Sequence, residues 1–120
     1  MFEVTVEEAR KSYRTRGGEV LALDGVSLQA EAGKMVAVVG SSGSGKTTLL
    51  YVIGSLETPD SGIIRVGERE VFPSCSGLID YRRREVGFVF QFFNLVGHYT
   101  ALENVMLAMS SGQGPDRRRR

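Results

Sequence analysis

The stretch from Met35 to Leu56 constrains this chain more than any other. Met35-Val36-Ala37-Val38-Val39 is apolar without alternation, the pattern of a strand covered on both faces, usually within a parallel sheet. It runs directly into a glycine- and serine-rich segment, Gly40 to Gly45. Beyond that, Leu49, Leu50, Ile53 and Leu56 recur at helical spacing until Gly54 and Pro59 end the helix. The order is strand, flexible loop, helix, which belongs to α/β architectures rather than to bundles or sandwiches.

The loop itself, Gly40-Ser41-Ser42-Gly43-Ser44-Gly45-Lys46-Thr47, fits G-x-x-x-x-G-K-[ST], the phosphate-cradling Walker A pattern, in the context that pattern needs. Gly40, Gly43 and Gly45 let the backbone turn so that successive N–H groups converge on a phosphate at a helix N-terminus. Lys46 supplies a point charge to the β- and γ-phosphates, the Thr47 hydroxyl suits Mg²⁺, and Thr48 reaches the α-phosphate. A plain Gly/Ser linker is a poor account of a loop flanked in this way. A dinucleotide loop fits no better, because Gly43-Ser44-Gly45 lacks the third glycine and Lys-Thr answers to a triphosphate with Mg²⁺. ATP and Mg²⁺ are the expected ligands.

Ahead of the loop, Phe2, Val4 and Val6 alternate with Glu3, Thr5 and Glu7, and Val26, Leu28 and Ala30 repeat the alternation. These predict an antiparallel sheet turned at Arg16-Gly17-Gly18. Behind it, Ile63-Ile64-Arg65-Val66 and Val86–Phe90 are predicted strands, Ser74–Gly77 a loop and Leu78–Arg84 one or two helical turns. Thr100-Ala101-Leu102-Glu103 is a capping box that opens a helix to about Met109. The run Ser110–Pro115 reads as a flexible break.

Composition narrows the class. Of 120 residues, 42% are hydrophobic and 24% charged, ordinary for a globular chain. Fifteen basic residues nearly balance 14 acidic ones, so no global field draws the chain to nucleic acid or an anionic membrane. The single cysteine, Cys75, has no internal disulfide partner and suits a reducing compartment. The acidic first residues are not a secretory signal, and no apolar stretch approaches the ~18 residues of a membrane span. Arg82-Arg83-Arg84 and Arg117–Arg120 read as solvated faces rather than a nucleic-acid patch.

Several segments together resemble ATP-binding cassette (ABC) ATPases. They are Val20-Leu21-Ala22-Leu23-Asp24-Gly25-Val26-Ser27-Leu28, Pro59-Asp60-Ser61-Gly62, Val86-Gly87-Phe88-Val89-Phe90-Gln91-Phe92-Phe93-Asn94-Leu95 and Thr100-Ala101-Leu102-Glu103-Asn104-Val105. The likeness is greatest to the lipoprotein-releasing and macrolide-export type and covers residues 2 to about 109. It implies a partial P-loop NTPase core, α/β, with an N-terminal antiparallel β-subdomain. Residues 1–34 would be mainly antiparallel, 35–58 the strand, phosphate loop and helix, 59–99 strands and the Q-loop, and 100–120 the truncated start of a helical subdomain.

By the same resemblance Tyr13 stands where an aromatic stacks on adenine, although on its own it could be one more aromatic on a strand face. Gln91 stands at the Q-loop glutamine, which touches Mg²⁺ and the attacking water. The cofactor set implied is therefore Tyr13, Gly40, Ser41, Ser42, Gly43, Ser44, Gly45, Lys46, Thr47 and Thr48, with Thr47 and Gln91 at the metal. Phe92, Phe93, Leu95 and Val96 would be core or a groove for a membrane subunit, and His98 an exposed loop residue.

The implied role is the ATP-binding, and in the complete protein ATP-hydrolysing, subunit of an exporter or lipoprotein-releasing system. It would work as a homodimer with transmembrane permease subunits at the cytoplasmic face of the inner membrane. The alternative is a soluble non-transport ABC-type ATPase or a fragment that only binds nucleotide. The family's Asp-Glu pair, Leu-Ser-Gly-Gly-Gln signature and late catalytic histidine are not among these residues, so the 120 residues alone are expected to bind ATP without turnover.

Overall fold

A computed structural model describes residues 2–110. Positions 111–120, which hold most of the Ser110–Pro115 break and all of Arg117–Arg120, lie outside the described residues, as does Met1. The chain divides into two compact units, residues 1–78 and 79–120.

The first unit is built on a four-stranded antiparallel sheet. Strands β1 (Val4–Thr15), β2 (Gly18–Ala30), β3 (Ser61–Val66) and β4 (Arg69–Phe72) lie in the order β2-β1-β3-β4. The β1–β2 hairpin closes with Thr15 opposite Gly18, the turn that the glycine pair predicts. The alternation of β1 slips after Val6, so that Val6 and Ala9 are both buried with Glu7 and Glu8 exposed between them. This bulge is accommodated from β3. A Cβ on Gly62 would sit 2.7 Å from Ala9 Cα and 2.8 Å from the carbonyl oxygens of Glu7 and Glu8, and Gly62 itself has φ +107°. Strand β4 was not expected from the sequence, because Arg69-Glu70-Val71-Phe72 offers only one fully apolar inward position, Val71.

Helix α1 (Lys46–Ile53) ends at the Gly54 cap, as the sequence suggests. Its buried residues are Leu49 and Val52, whereas Leu50 and Leu56 are exposed. The expected Leu49/Leu50/Ile53/Leu56 stripe is therefore corrected: the inward face is centred on positions three apart, 49 and 52. Together with Val6, Ala9, Leu23, Ile64, Val66 and Val71 of the sheet these make the core of the unit.

Two expected strands do not form. Met35–Val39 and Val86–Phe90 carry no ladder, and Met35 and Val39 are 100% and 86% exposed. The apolar run marks where a strand could be buried, but a strand exists only when neighbours take its N–H and C=O groups. No strand among the described residues does so.

The second unit holds α2 (Leu78–Arg84), which begins on the last residue of the first, and α3 (Ala101–Ser110). The capping box forms as expected: Thr100 N–H and hydroxyl both donate to Glu103 Oε2, at 2.7 and 2.9 Å, and Glu103 N–H returns a bond to Thr100 Oγ1 at 3.2 Å. These bonds hold the Glu103 carboxyl below its ordinary pKa. No helix among the described residues is long and apolar enough to cross a membrane.

Candidate nucleotide site

The phosphate loop is positioned from below by β2. Gly45 caps α1 in a left-handed conformation (φ +93°), and a Cβ at that position would collide with the Ala22 carbonyl oxygen of β2. Only glycine lets the helix start this close to the hairpin. Gly43 also has positive φ (+77°), but a Cβ there meets nothing within 4 Å, so its glycine serves backbone conformation with open space beside it. A Cβ on Gly40 would meet Ser44 Oγ at 2.7 Å. The loop is closed by Ser44 N–H donating to Ser41 O at 3.2 Å.

Lys46 folds back over this loop. Its ammonium donates to Gly40 O at 2.9 Å, Ser41 O at 2.6 Å and Ser44 Oγ at 3.2 Å, three acceptors for three N–H donors. Thr47 is exposed and Thr48 half-buried on the first turn of α1. That turn has no side-chain cap and no acidic residue. Its orphan N–H groups and the positive end of the helix are thus left to an outside anion. The donor set fits a phosphate: backbone N–H groups, one ammonium and serine and threonine hydroxyls, with no carboxylate in the loop. Among the described residues no group of three His, Cys, Asp or Glu side chains could hold a metal by itself.

The structure brings residues 40–48 together and places Tyr13 on β1, opposite Val20 of β2. Tyr13 is half-buried, with the Lys11 ammonium 5.2 Å from its ring centroid. Gln91 belongs to the second unit, where it is exposed just past the stacked rings of Phe88 and Phe90. Phe92, Phe93 and Leu95 are exposed, Phe93 by 93%, and Val96 is half-buried. His98 is exposed in its loop, with its ring edge-on to Tyr99.

Sequence reasoning missed the polar ties that hold these pieces. Asp60 Oδ2 accepts from the Ser12 N–H and hydroxyl, Asp60 N–H donates to Arg10 O at 2.7 Å, and Lys11 donates to Thr58 O at 2.8 Å. The two Ser12 donors, with the Lys11 charge adding, hold the Asp60 carboxyl below its ordinary pKa. In the second unit, among the described residues, the Asn104 side chain binds only main chain of the preceding loop: it accepts from Val96 N–H at 2.8 Å and donates toward the carbonyls of Val96, Tyr99 and Thr100 at 3.0–3.3 Å. Asp60 in Pro59-Asp60-Ser61-Gly62 was the one visible signal, an Asp in a turn with no partner nearby in sequence.

Comparison with known proteins shows the family. The family described as ABC transporter matches residues 23–120. Among similar proteins, the lipoprotein-releasing system ATP-binding protein LolD 2 of Chlorobium chlorochromatii is 45% identical over 109 residues, covering 85% of this chain and 45% of the relative. LolD of Cereibacter sphaeroides is 48% identical over 103 residues, covering 81% and 44%. A solved structure of the ATP-binding cassette MJ0796, in a dimeric post-hydrolysis state bound to ADP and Pi, superposes with TM-score 0.80 at 36% identity, over 92% of this chain and 49% of that one. The chain spans about half the length of the relatives it matches. With a partial P-loop NTPase fold, an antiparallel N-terminal sheet and the family match over most of its length, the chain belongs to the ABC transporter family.

Proposed function

We propose that this chain binds Mg·ATP, with Gly40–Thr48 around the phosphates and Tyr13 against the adenine. In the complete protein it would serve as the ATP-hydrolysing subunit of a lipoprotein-releasing or export system. The observation that carries the reading is the Lys46 ammonium held over the loop carbonyls beside an uncapped helix start. When bound, the nucleotide brings a Mg²⁺-neutralised triphosphate whose terminal phosphoryl group can be transferred to water.

The chain's own residues supply binding and orientation. Backbone N–H groups of the loop and of the first turn of α1 point at the anion, and Lys46 exchanges its loop acceptors for phosphate oxygens. Thr47, exposed on that first turn, has its hydroxyl free to enter a metal shell, and Gln91 is assigned by resemblance alone as the Q-loop glutamine. With no carboxylate cluster to hold a cation alone, Mg²⁺ is expected to arrive with the phosphates. Residues 1–120 form the front portion of one ATPase domain in this reading.

The LolD relatives are named as ATP-binding proteins of lipoprotein-releasing systems, and the MJ0796 cassette is named as dimeric. These names support a complete protein that pairs with a second copy in a transport system, and the family resemblance adds transmembrane permease subunits and a place peripheral to the cytoplasmic face of the inner membrane. The test is calorimetric titration of the folded chain with Mg·ATP beside its Lys46→Ala variant. Markedly weaker binding by the variant is expected, and equal affinities would overturn the phosphate assignment.

A further inference from the structure

The lysine under the Tyr13 ring has a place in the fold that its ordinary role as a surface charge does not explain. Lys11 is only 15% exposed. Most of the stem is covered, so the position of the ammonium is set by its partners. It has three: the Thr58 carbonyl at 2.8 Å, the Glu57 carboxylate at 3.6 Å and the face of the Tyr13 ring, 5.2 Å from its centroid. Thr58 and Glu57 belong to the connector that leaves α1, the helix whose other end carries the phosphate loop. Tyr13, by contrast, lies three residues before the hairpin turn. Among the described residues no other cation or aromatic ring is paired with its ring.

We infer that Lys11 is a positioning residue for Tyr13: its ammonium, anchored on the α1 exit, occupies one face of the ring and presents the other as a platform for a purine base. The inference rests on the nucleotide reading given above. Its physical content is preorganisation. A tyrosine near a hairpin tip loses rotamer freedom when a base stacks on it, and a cation–π contact removes part of that freedom beforehand.

The same anchor also relates the platform to the phosphate loop. The start of α1 is packed against Ala22 of β2 through Gly45, and its exit is bound to Lys11 and Ser12 of β1. Base and triphosphate are thereby gripped from one frame, with Lys11 at its base end.

Titration calorimetry of the full chain with Mg·ATP and, separately, Mg·tripolyphosphate separates this role from general weakening. Lys11→Met, which keeps the stem and removes the charge, is expected to weaken Mg·ATP by about 3- to 10-fold and to leave Mg·tripolyphosphate unchanged. Lys11→Arg is expected to restore Mg·ATP affinity, and in a Tyr13→Ala background Lys11→Met should add nothing. The inference is overturned if Lys11→Met leaves Mg·ATP affinity intact, weakens both probes equally, or keeps its effect without Tyr13. If Tyr13→Ala itself leaves Mg·ATP unchanged, the stacking role falls and this inference with it. A full loss with Tyr13→Ala and none with Lys11→Met removes this inference alone.

Discussion

Asp60 Oδ2 takes both donors of Ser12, the backbone N–H at 2.6 Å and the hydroxyl at 2.9 Å, across 48 positions of sequence. The pair binds the exit of α1 to the hairpin, so Asp60→Ala is expected to lower the melting temperature more than Asp60→Asn, which keeps an acceptor. Ser12→Ala combined with Asp60→Ala should cost less than the sum of the two, the signature of a direct interaction. Thermal unfolding of the four variants beside the wild type checks this.

Asp60 and Glu103 both have lowered pKa values, Asp60 chiefly through the Ser12 N–H and Glu103 chiefly through the Thr100 N–H. A carboxylate whose folded pKa lies below its unfolded value adds stability that is present above the unfolded value and is lost as pH falls through the folded one. Stability is therefore expected to decline on acidification below the ordinary carboxylate range, and less steeply in Asp60→Asn. Carboxyl-detected NMR titration should give both midpoints below those of the corresponding peptides.

Lys46→Ala should reduce Mg·ATP affinity by about 10- to 100-fold, the range of a charge-assisted hydrogen bond to an anion. Unfolding in the absence of nucleotide should change little, since its acceptors are exposed loop oxygens.

Tyr13→Ala is expected to weaken ATP and ADP alike by ~1–3 kcal/mol, because base stacking ignores the γ-phosphate. Tyr13→Phe should be nearly silent. A deficit confined to ATP would contradict stacking.

The two left-handed glycines of the loop should respond differently. Gly43→Ala meets open space and carries only the conformational penalty of roughly 1–2 kcal/mol. Gly45→Ala adds a collision with the Ala22 carbonyl and should destabilise the fold by more, measured by urea unfolding without ligand.

What the sequence made legible was local or periodic. The Thr100–Glu103 box needs only residues three apart, and the Gly40–Thr47 pattern announces the helix that follows it, so both could be placed on sight. Ties such as Ser12–Asp60 could not be, because nothing in either segment names the other. Met35–Val39 shows the opposite failure. Its composition states that it suits a two-faced burial, but pairing is a property of neighbours, and the described residues provide none.

Among the described residues the Asn104 side chain bonds only to main-chain atoms of residues 96, 99 and 100. The grip of Asn104 on that loop is thereby independent of the side chains at 96–99. Substitution can rewrite what His98 and Tyr99 display to the surroundings while the backbone path persists, which gives this corner of the protein room to change its chemistry over evolutionary time without refolding.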